Sequence, residues 1–197
     1  MSSDATEPAL SAERWEATLA GEGGQGVITA GIILAEAAVL AGLNAVQTQS
    51  YGPESRGGAS RAEVVISPGE IDFPKVTHAD VLLAMTAEAC RRYASKLKTG
   101  GLLIADPDQV PEIPSGPYRI VRVPIGRIAT QELGRAIVAN IVALGAVVAL
   151  TNAVPVEALE RAVLARVPKG TEELNREALH RGMAAGREAA SGTPASS

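Results

Sequence analysis

Three glycines, at positions 21, 23 and 26, form the pattern Gly-x-Gly-x-x-Gly. A short apolar run over 15–20 precedes them, and apolar residues recur at helical spacing from Ile28 to Val39. This arrangement predicts a strand, a tight turn and a helix. Glycines let a backbone approach a phosphate closely, and a helix N-terminus offers free N–H groups and a positive dipole. The segment could therefore hold a phosphate or another anion.

Two familiar phosphate-binding motifs do not fit these residues. A nicotinamide dinucleotide site needs an acid at the end of the second strand, where positions 47–50 are Gln-Thr-Gln-Ser and Glu54 comes too late. A Walker loop needs Lys and Ser or Thr where Val27 and Ile28 stand. The turn is thus an anion site of another kind or a plain tight turn without a ligand. An alternative function for a chain with this turn is that of a free-standing dinucleotide-binding oxidoreductase domain.

A second glycine-rich segment runs from Gly52 to Gly58 and reads Gly-Pro-Glu-Ser-Arg-Gly-Gly. Neither a helix nor a strand can continue through it, so it predicts a loop. Loops held by a rigid sheet are where binding residues concentrate. The Arg56 guanidinium could pair with a phosphate or a carboxylate of a ligand, or with Glu54 in the same loop.

No residues are arranged for catalysis or for metal binding. Ser60 lacks the Gly-x-Ser-x-Gly context of a nucleophile and has no recognisable His–acid pair. The only histidines, His78 and His180, are not spaced as paired ligands on a helix. Cys90 is the only cysteine, which excludes an internal disulfide and a four-cysteine iron–sulfur cluster. We expect no catalytic residue and no metal site in this chain.

Composition indicates a globular protein that acts away from nucleic acids and membranes. The 197 residues are 46% hydrophobic and carry a net charge of −4, which offers no basic surface for a polyanion. The first ten residues contain acids rather than the basic n-region of a signal peptide, so they do not predict one. The longest apolar stretch, 137–150, is shorter than the ~20 residues of a membrane span. We expect a cytoplasmic location.

Asn140, inside the apolar stretch 137–150, is either a hydrogen-bonded buried amide or a ligand.

Strands and helices alternate up to residue 125, and only helices follow. The pattern predicts an α/β fold of three layers, Rossmann-like, with a mainly parallel sheet and a C-terminal helical segment. One domain over 12–188 is expected between disordered tails at 1–11 and 189–197. The predicted strands are 15–20, 44–49, 61–67, 81–85, 102–105 and 120–123, and the later helices are 129–133, 137–150, 156–166 and 171–187.

Taken together, the two glycine motifs resemble the gamma subunit of the 2-oxoacid:ferredoxin oxidoreductases. The matching segments are 21–27, 34–38, 47–58 and 140–145, and the resemblance covers about 15–188. The stretch Gln-Thr-Gln-Ser-Tyr-Gly-Pro-Glu, 47–54, is most similar to the 2-oxoglutarate type, and phenylglyoxylate and indolepyruvate enzymes share much of the pattern.

The resemblance implies an enzyme that converts a 2-oxoacid and coenzyme A into an acyl-CoA, CO2 and a reduced acceptor. It implies thiamine diphosphate, Mg2+ and [4Fe-4S] clusters on partner alpha and beta subunits, with a ferredoxin-like subunit as a further partner. In the family this domain borders the active site and is associated with coenzyme A. Motif match assigns that association to the glycine turn and the second loop: Gly21, Gly23, Gly24, Gln25, Gly26, Ser50, Gly52, Glu54, Arg56, Gly57 and Gly58.

Overall fold

The centre of the protein is a six-stranded sheet in the order β2-β3-β1-β4-β5-β6, seen in a computed structural model that describes residues 14–51 and 59–192. The strands are β1 (Trp15–Glu22), β2 (Asn44–Tyr51), β3 (Ala59–Ser67), β4 (Ala79–Ala84), β5 (Leu97–Ala105) and β6 (Arg119–Arg122). The helices are α1 (Val27–Leu40), α2 (Ala87–Tyr93), α3 (Ile125–Arg127), α4 (Ala139–Thr151), α5 (Val156–Arg166) and α6 (Glu172–Ser191).

Five of the six strands point the same way, which confirms the predicted, mainly parallel α/β sheet. β4 pairs in parallel with β1 and β5, and β6 is parallel to β5. The exception is β3, which is antiparallel both to β1 and to β2. The sheet therefore departs from the simple Rossmann order, because a β2–β3 hairpin places an antiparallel strand beside β1 where a parallel one is usual.

Helices cover both faces of the sheet, and each face has its own core. The larger core collects the apolar sides of α1, α4, α5 and α6 against alternate residues of the strands, including Ala17 and Leu19 of β1. The smaller core lies between α2 and the central strands, where Ala20 and Leu82 face Cys90 and Tyr93. Successive side chains of β1 point to opposite faces of the sheet, so they pack in the two different cores.

The C-terminal helices α4 and α6 cross at very close range. A Cβ placed on Gly182 of α6 would lie 2.7 Å from the carbonyl carbon of Val142, and one on Gly145 of α4 would lie 3.1 Å from that of Leu179. No side chain fits between the two backbones at these points, so the glycines set the distance between the helices.

Several element boundaries differ from the sequence prediction, most of all in the C-terminal half. The expected tail over 189–197 begins too early, because α6 continues to Ser191. The predicted buried helix 137–150 begins at Ala139 instead, after a 3-10 turn whose Ile137 is 84% exposed. The segment predicted as a helix over 129–133 is a π-helical turn, Ile128–Glu132, that continues α3. In the described part of the chain, no helix has the length and apolar character needed to cross a bilayer.

Gly182→Ala tests the helix crossing. Alanine is the better helix former by about 1 kcal/mol. Overpacking a well-filled core typically costs about 1–3 kcal/mol, and here the new methyl group meets backbone atoms that cannot turn aside. We expect a net loss in the free energy of unfolding, measured by urea denaturation.

The control for this variant is Gly192→Ala, just beyond α6, where a Cβ would lie 3.7 Å from the nearest atom, the carbonyl oxygen of Glu188. That is ordinary contact, so stability should be nearly unchanged. If both variants were equally stable, the close crossing would not constrain the fold.

Candidate glycine-turn site

The predicted glycine turn joins the end of β1 to the start of α1. Gly24 and Gly26 have φ of 94° and 75°, a backbone region that favours glycine. Gly26 is the N-cap of α1, no described side chain caps this end, and the first turn carries no acid. The first intrahelical donor is Ala30, which donates to Gly26. An anion could therefore accept hydrogen bonds from the backbone N–H groups of α1 that precede Ala30.

Gln25 serves the turn itself. Its Oε1 accepts the backbone N–H of Glu22 at 2.7 Å, and its Nε2 donates to the carbonyl oxygen of Met85 at 3.4 Å. The side chain thereby links the end of β1 to the residue after β4, and it lies against Gly21. Because both ends of this amide are engaged within the protein, the structure gives Gln25 a positioning role in the turn.

Asn140, at the start of α4, packs against the same turn. Its Nδ2 lies 3.4 Å from the carbonyl oxygen of Gly26, and a Cβ on Gly26 would lie 2.7 Å from that nitrogen. The sequence alone allows two roles for this residue, a buried amide or a ligand. The side chain is half-buried, with a long hydrogen bond to the turn. The only sequence signal for this residue is that it is polar and interrupts an apolar stretch.

A cavity of about 370 Å³ opens beside the turn. Apolar side chains from α1, α4, α6 and the segments before α4 and after α5 line most of it, and the exposed Ile137 is one of them. Polar groups come from Thr29, Asn140, Arg166, Thr171 and Asn175. The cavity gives an elongated ligand an apolar wall next to the free end of α1.

The β2–β3 pair brings the residues that flank the second motif to the same edge of the sheet. Ala59, the first residue of β3, is the register partner of Glu22 at the end of β1, and Ser60 pairs with Tyr51 of β2. Ser50 lies half-buried on β2 opposite Arg61. The remaining predicted residues, Gly52, Glu54, Arg56, Gly57 and Gly58, lie outside the described residues. Tyr51 and Ala59, the described residues on either side of them, lie at the same edge of the sheet as the glycine turn.

The described residues around this edge can bind and position a ligand, but they contain no recognisable reactive group. Cys90 lies on the buried side of α2, and burial raises the pKa of its thiol, so it remains protonated at neutral pH. No three His, Cys, Asp or Glu side chains within 14–51 and 59–192 are grouped to hold a metal ion.

The fold and the turn define a Rossmann-like α/β domain that presents a glycine-lined helix N-terminus at the carboxyl edge of its sheet. The family model for pyruvate ferredoxin/flavodoxin oxidoreductase matches residues 16–185, and the chain belongs to this family. The predicted resemblance to its gamma subunits is confirmed, and the chain is a non-autonomous subunit of a 2-oxoacid oxidoreductase.

Relatives of the same size support this assignment. The chain is 53% identical over 169 residues to 2-oxoglutarate synthase subunit KorC of Methanothermobacter thermautotrophicus, covering 82% of this chain and 89% of the relative. It is 48% identical over 178 residues to KorC of Methanocaldococcus jannaschii, covering 89% and 95%.

Solved structures share the fold. The gamma subunit of a keto/oxoacid ferredoxin oxidoreductase from Geobacter sulfurreducens superposes with a TM-score of 0.81 at 50% identity, covering 89% of this chain and 99% of that one. The 2-oxoglutarate:ferredoxin oxidoreductase of Magnetococcus marinus superposes with a TM-score of 0.80 at 24% identity. The match covers 90% of this chain but 32% of the Magnetococcus chain, so the same fold forms part of a longer polypeptide there.

A double-mutant cycle tests the contact between the turn and α4. Gly26→Ala combines an unfavourable φ, about 1–2 kcal/mol, with a collision against Asn140. Gly24→Ala has a comparable φ but meets nothing within 4 Å. We therefore expect Gly26→Ala to lower the free energy of unfolding by more than Gly24→Ala does.

Adding Asn140→Ala should remove most of that excess, because it deletes the colliding amide and leaves only the Cβ of residue 140, at 3.1 Å. Urea unfolding of the four variants and the parent measures the coupling. Equal losses from the two glycine substitutions, or an excess that persists without Asn140, would contradict the packing described.

Proposed function

We propose that this chain is the gamma subunit of a 2-oxoglutarate:ferredoxin oxidoreductase. That enzyme converts 2-oxoglutarate and coenzyme A into succinyl-CoA and CO2 and passes two electrons to ferredoxin. Support comes from the relatives named 2-oxoglutarate synthase subunit KorC, two of which match most of this chain at 48% and 53% identity. The Magnetococcus enzyme, which shares the fold, holds 2-oxoglutarate, coenzyme A and succinyl-CoA in its structure.

The chain's own contribution, in this proposal, is to bind a phosphate-bearing part of coenzyme A at the glycine turn. The observation that carries it is the start of α1, where Gly26 is the N-cap and no described side chain caps the first N–H groups. Coenzyme A brings several phosphate charges, and an uncapped helix N-terminus favours negative charge. The neighbouring 370 Å³ cavity gives the rest of the molecule an apolar surface.

The redox and decarboxylation chemistry belongs to other chains in this proposal. Thiamine diphosphate with Mg2+, and the [4Fe-4S] clusters, would be held by alpha and beta subunits and a ferredoxin-like subunit. Cys90 is the only cysteine of the sequence, and a cluster needs several thiolates.

The purified chain should be colourless and inactive with 2-oxoacids. Binding of NAD by the isolated chain would instead support a free-standing dinucleotide-binding domain.

Thr29→Asp tests the helix N-terminus, because it should move stability and ligand binding in opposite directions. Thr29 is exposed in the first turn of α1. A carboxylate there should stabilise the helix by about 0.3–1 kcal/mol. It should also repel the phosphates and raise the KM for coenzyme A roughly three- to tenfold, which corresponds to about 0.7–1.4 kcal/mol.

Thr29→Asn, similar in size and uncharged, is the matched control and should leave that KM almost unchanged. Both variants are assayed in the assembled oxidoreductase, with thermal unfolding of the isolated chain as the second readout. A stabilised Thr29→Asp chain with an unaltered KM for coenzyme A would place the anion elsewhere.

Arg56→Ala tests the second motif. If the guanidinium meets phosphate, its removal should raise the KM for coenzyme A about ten- to a hundredfold, the equivalent of a charge-assisted hydrogen bond worth roughly 1.5–3 kcal/mol. Arg56→Lys should recover part of the loss, since an ammonium cannot reproduce a planar fork. The KM for 2-oxoglutarate should barely change.

The competing role for Arg56 is an ion pair with Glu54 or with another subunit. In that case Arg56→Ala would impair assembly, and Glu54→Gln would give the same defect. Subunit stoichiometry, measured beside both KM values, separates the two outcomes.

A further inference from the structure

The neighbouring strands β1 and β4 send their helices to opposite faces of the sheet. The two strands are parallel partners. α1, which follows β1, packs in the larger core, whereas α2, which follows β4, packs in the smaller core on the other face. In open α/β sheets a crevice forms beyond the carboxyl ends of two strands whose helices separate in this way, and ligands usually bind there.

A crevice of about 220 Å³ lies at this junction, on the side of α2. Its lining comes from the end of β1, from the first residue of β3, and from α2 with the residue before it. The charged members are Glu22, Glu88 and Arg92, and all three residues are exposed.

The glycine turn separates this crevice from the 370 Å³ cavity on the side of α1. Gly21 lines the crevice, whereas Gly24 and Gly26 line the cavity. The chain from residue 21 to residue 26 can span no more than about 19 Å between Cα atoms, and the backbone hydrogen bond from Gln25 to Glu22 makes the turn more compact still. One elongated ligand can therefore reach both sides of the turn.

Three cationic groups surround the ring of Tyr93, a residue that lines the crevice and is only 7% exposed. The guanidinium carbons of Arg61 and Arg92 lie 5.2 and 5.7 Å from the ring centroid, and the Nζ of Lys96 lies 5.6 Å from it. Any two of these groups are therefore separated by no more than about twice that distance.

These cations outnumber their carboxylate partners among the residues that the structure describes. Arg61 lies 3.3 Å from Glu63, but neither Arg92 nor Lys96 takes part in an ion pair there. Even Glu88, one turn before Arg92 on α2, is not paired with it. Like charges this close repel one another, and an anion bound among them offsets that repulsion. A phosphate fits this role, because a guanidinium forms charge-assisted hydrogen bonds with it.

The carboxylates of the crevice narrow the class of ligand. Glu22 and Glu88 accept hydrogen bonds and repel further negative charge. An adenine base carries an amino group that donates hydrogen bonds, and bases stack on aromatic rings and guanidinium planes. An adenosine phosphate offers both an amino group and a phosphate, whereas 2-oxoglutarate offers only acceptors. The crevice is therefore complementary to an adenosine phosphate.

We propose that this crevice holds the adenosine end of coenzyme A, with its 3′-phosphate beside Arg92. In this arrangement the diphosphate lies over the glycine turn, and the pantetheine arm lies in the cavity on the side of α1. The inference rests on the proposed function and adds to it a second binding region, on the opposite face of the sheet.

The compound 3′-dephospho-coenzyme A tests the assignment, because it lacks the phosphate assigned to Arg92. In the assembled oxidoreductase, the parent should have a KM for the dephospho compound about tenfold higher than for coenzyme A. Arg92→Gln should raise the KM for coenzyme A about tenfold, the loss of one charge-assisted hydrogen bond. It should raise the KM for the dephospho compound less than twofold, so the variant no longer distinguishes the two.

Arg91→Gln is the matched control. Arg91 is the neighbouring residue on α2, is also exposed and carries the same charge, but it does not line the crevice. Both KM values of this variant should equal those of the parent. As a second readout, adenosine 3′,5′-bisphosphate should inhibit competitively with coenzyme A, and Arg92→Gln should weaken that inhibition about tenfold.

Equal KM values of the parent for the two compounds would overturn the proposal, and so would an Arg92→Gln variant that raises both KM values by the same factor. A variant that assembles poorly, yet has the parent's KM for coenzyme A in the complexes that form, would make the cluster a contact between subunits instead. If Thr29→Asp raises the KM for coenzyme A and Arg92→Gln does not, only this inference fails. If neither variant changes it, the proposed role of the glycine turn fails as well.

Discussion

The Gln25 amide is the interaction on which the geometry of the candidate site depends. It accepts a hydrogen bond from Glu22 at the end of β1 and donates one to Met85 after β4, so it ties the turn to two neighbouring strands. With the turn fixed in this way, Gly26 can hold a positive φ and begin α1 without a side-chain cap. Backbone N–H groups cannot reorient toward an anion as side chains can. Their positions must therefore be set by contacts such as those of Gln25.

The sequence was most informative where the determinants are local. The strand, turn and helix around Gly21–Gly26 follow from glycine spacing and from the apolar periodicity after it, and α5 occupies the predicted 156–166. The predicted helix 171–187 ends four residues before α6 does, because Ala, Ser and Gly after residue 188 are typical of a tail, although alanine also continues a helix well.

The remaining features depend on residues far apart in the chain. The apolar alternation of 61–67 predicts a strand, but it is the same for either direction, so the antiparallel position of β3 between β1 and β2 could not be derived. Gln25 finds its second partner 60 residues away, and Asn140 meets Gly26 across 114 residues. Such pairings carry no local signal in one sequence. The resemblance relates the two glycine motifs to each other, but the register that pairs Ala59 with Glu22 could not be derived from the sequence.

The hairpin also imposes an order on the assembly of the sheet. β2 and β3 are adjacent in sequence, whereas β1 pairs with β3 and β4 across separations such as Ala17 to Val64 and Ala17 to Val81. Local pairs form with the smallest loss of loop entropy, so we expect the hairpin to form early. During synthesis the apolar β1 leaves the ribosome first and must wait for β3 before it has a partner. The nascent chain therefore carries an unpaired strand through the time needed to translate about fifty residues.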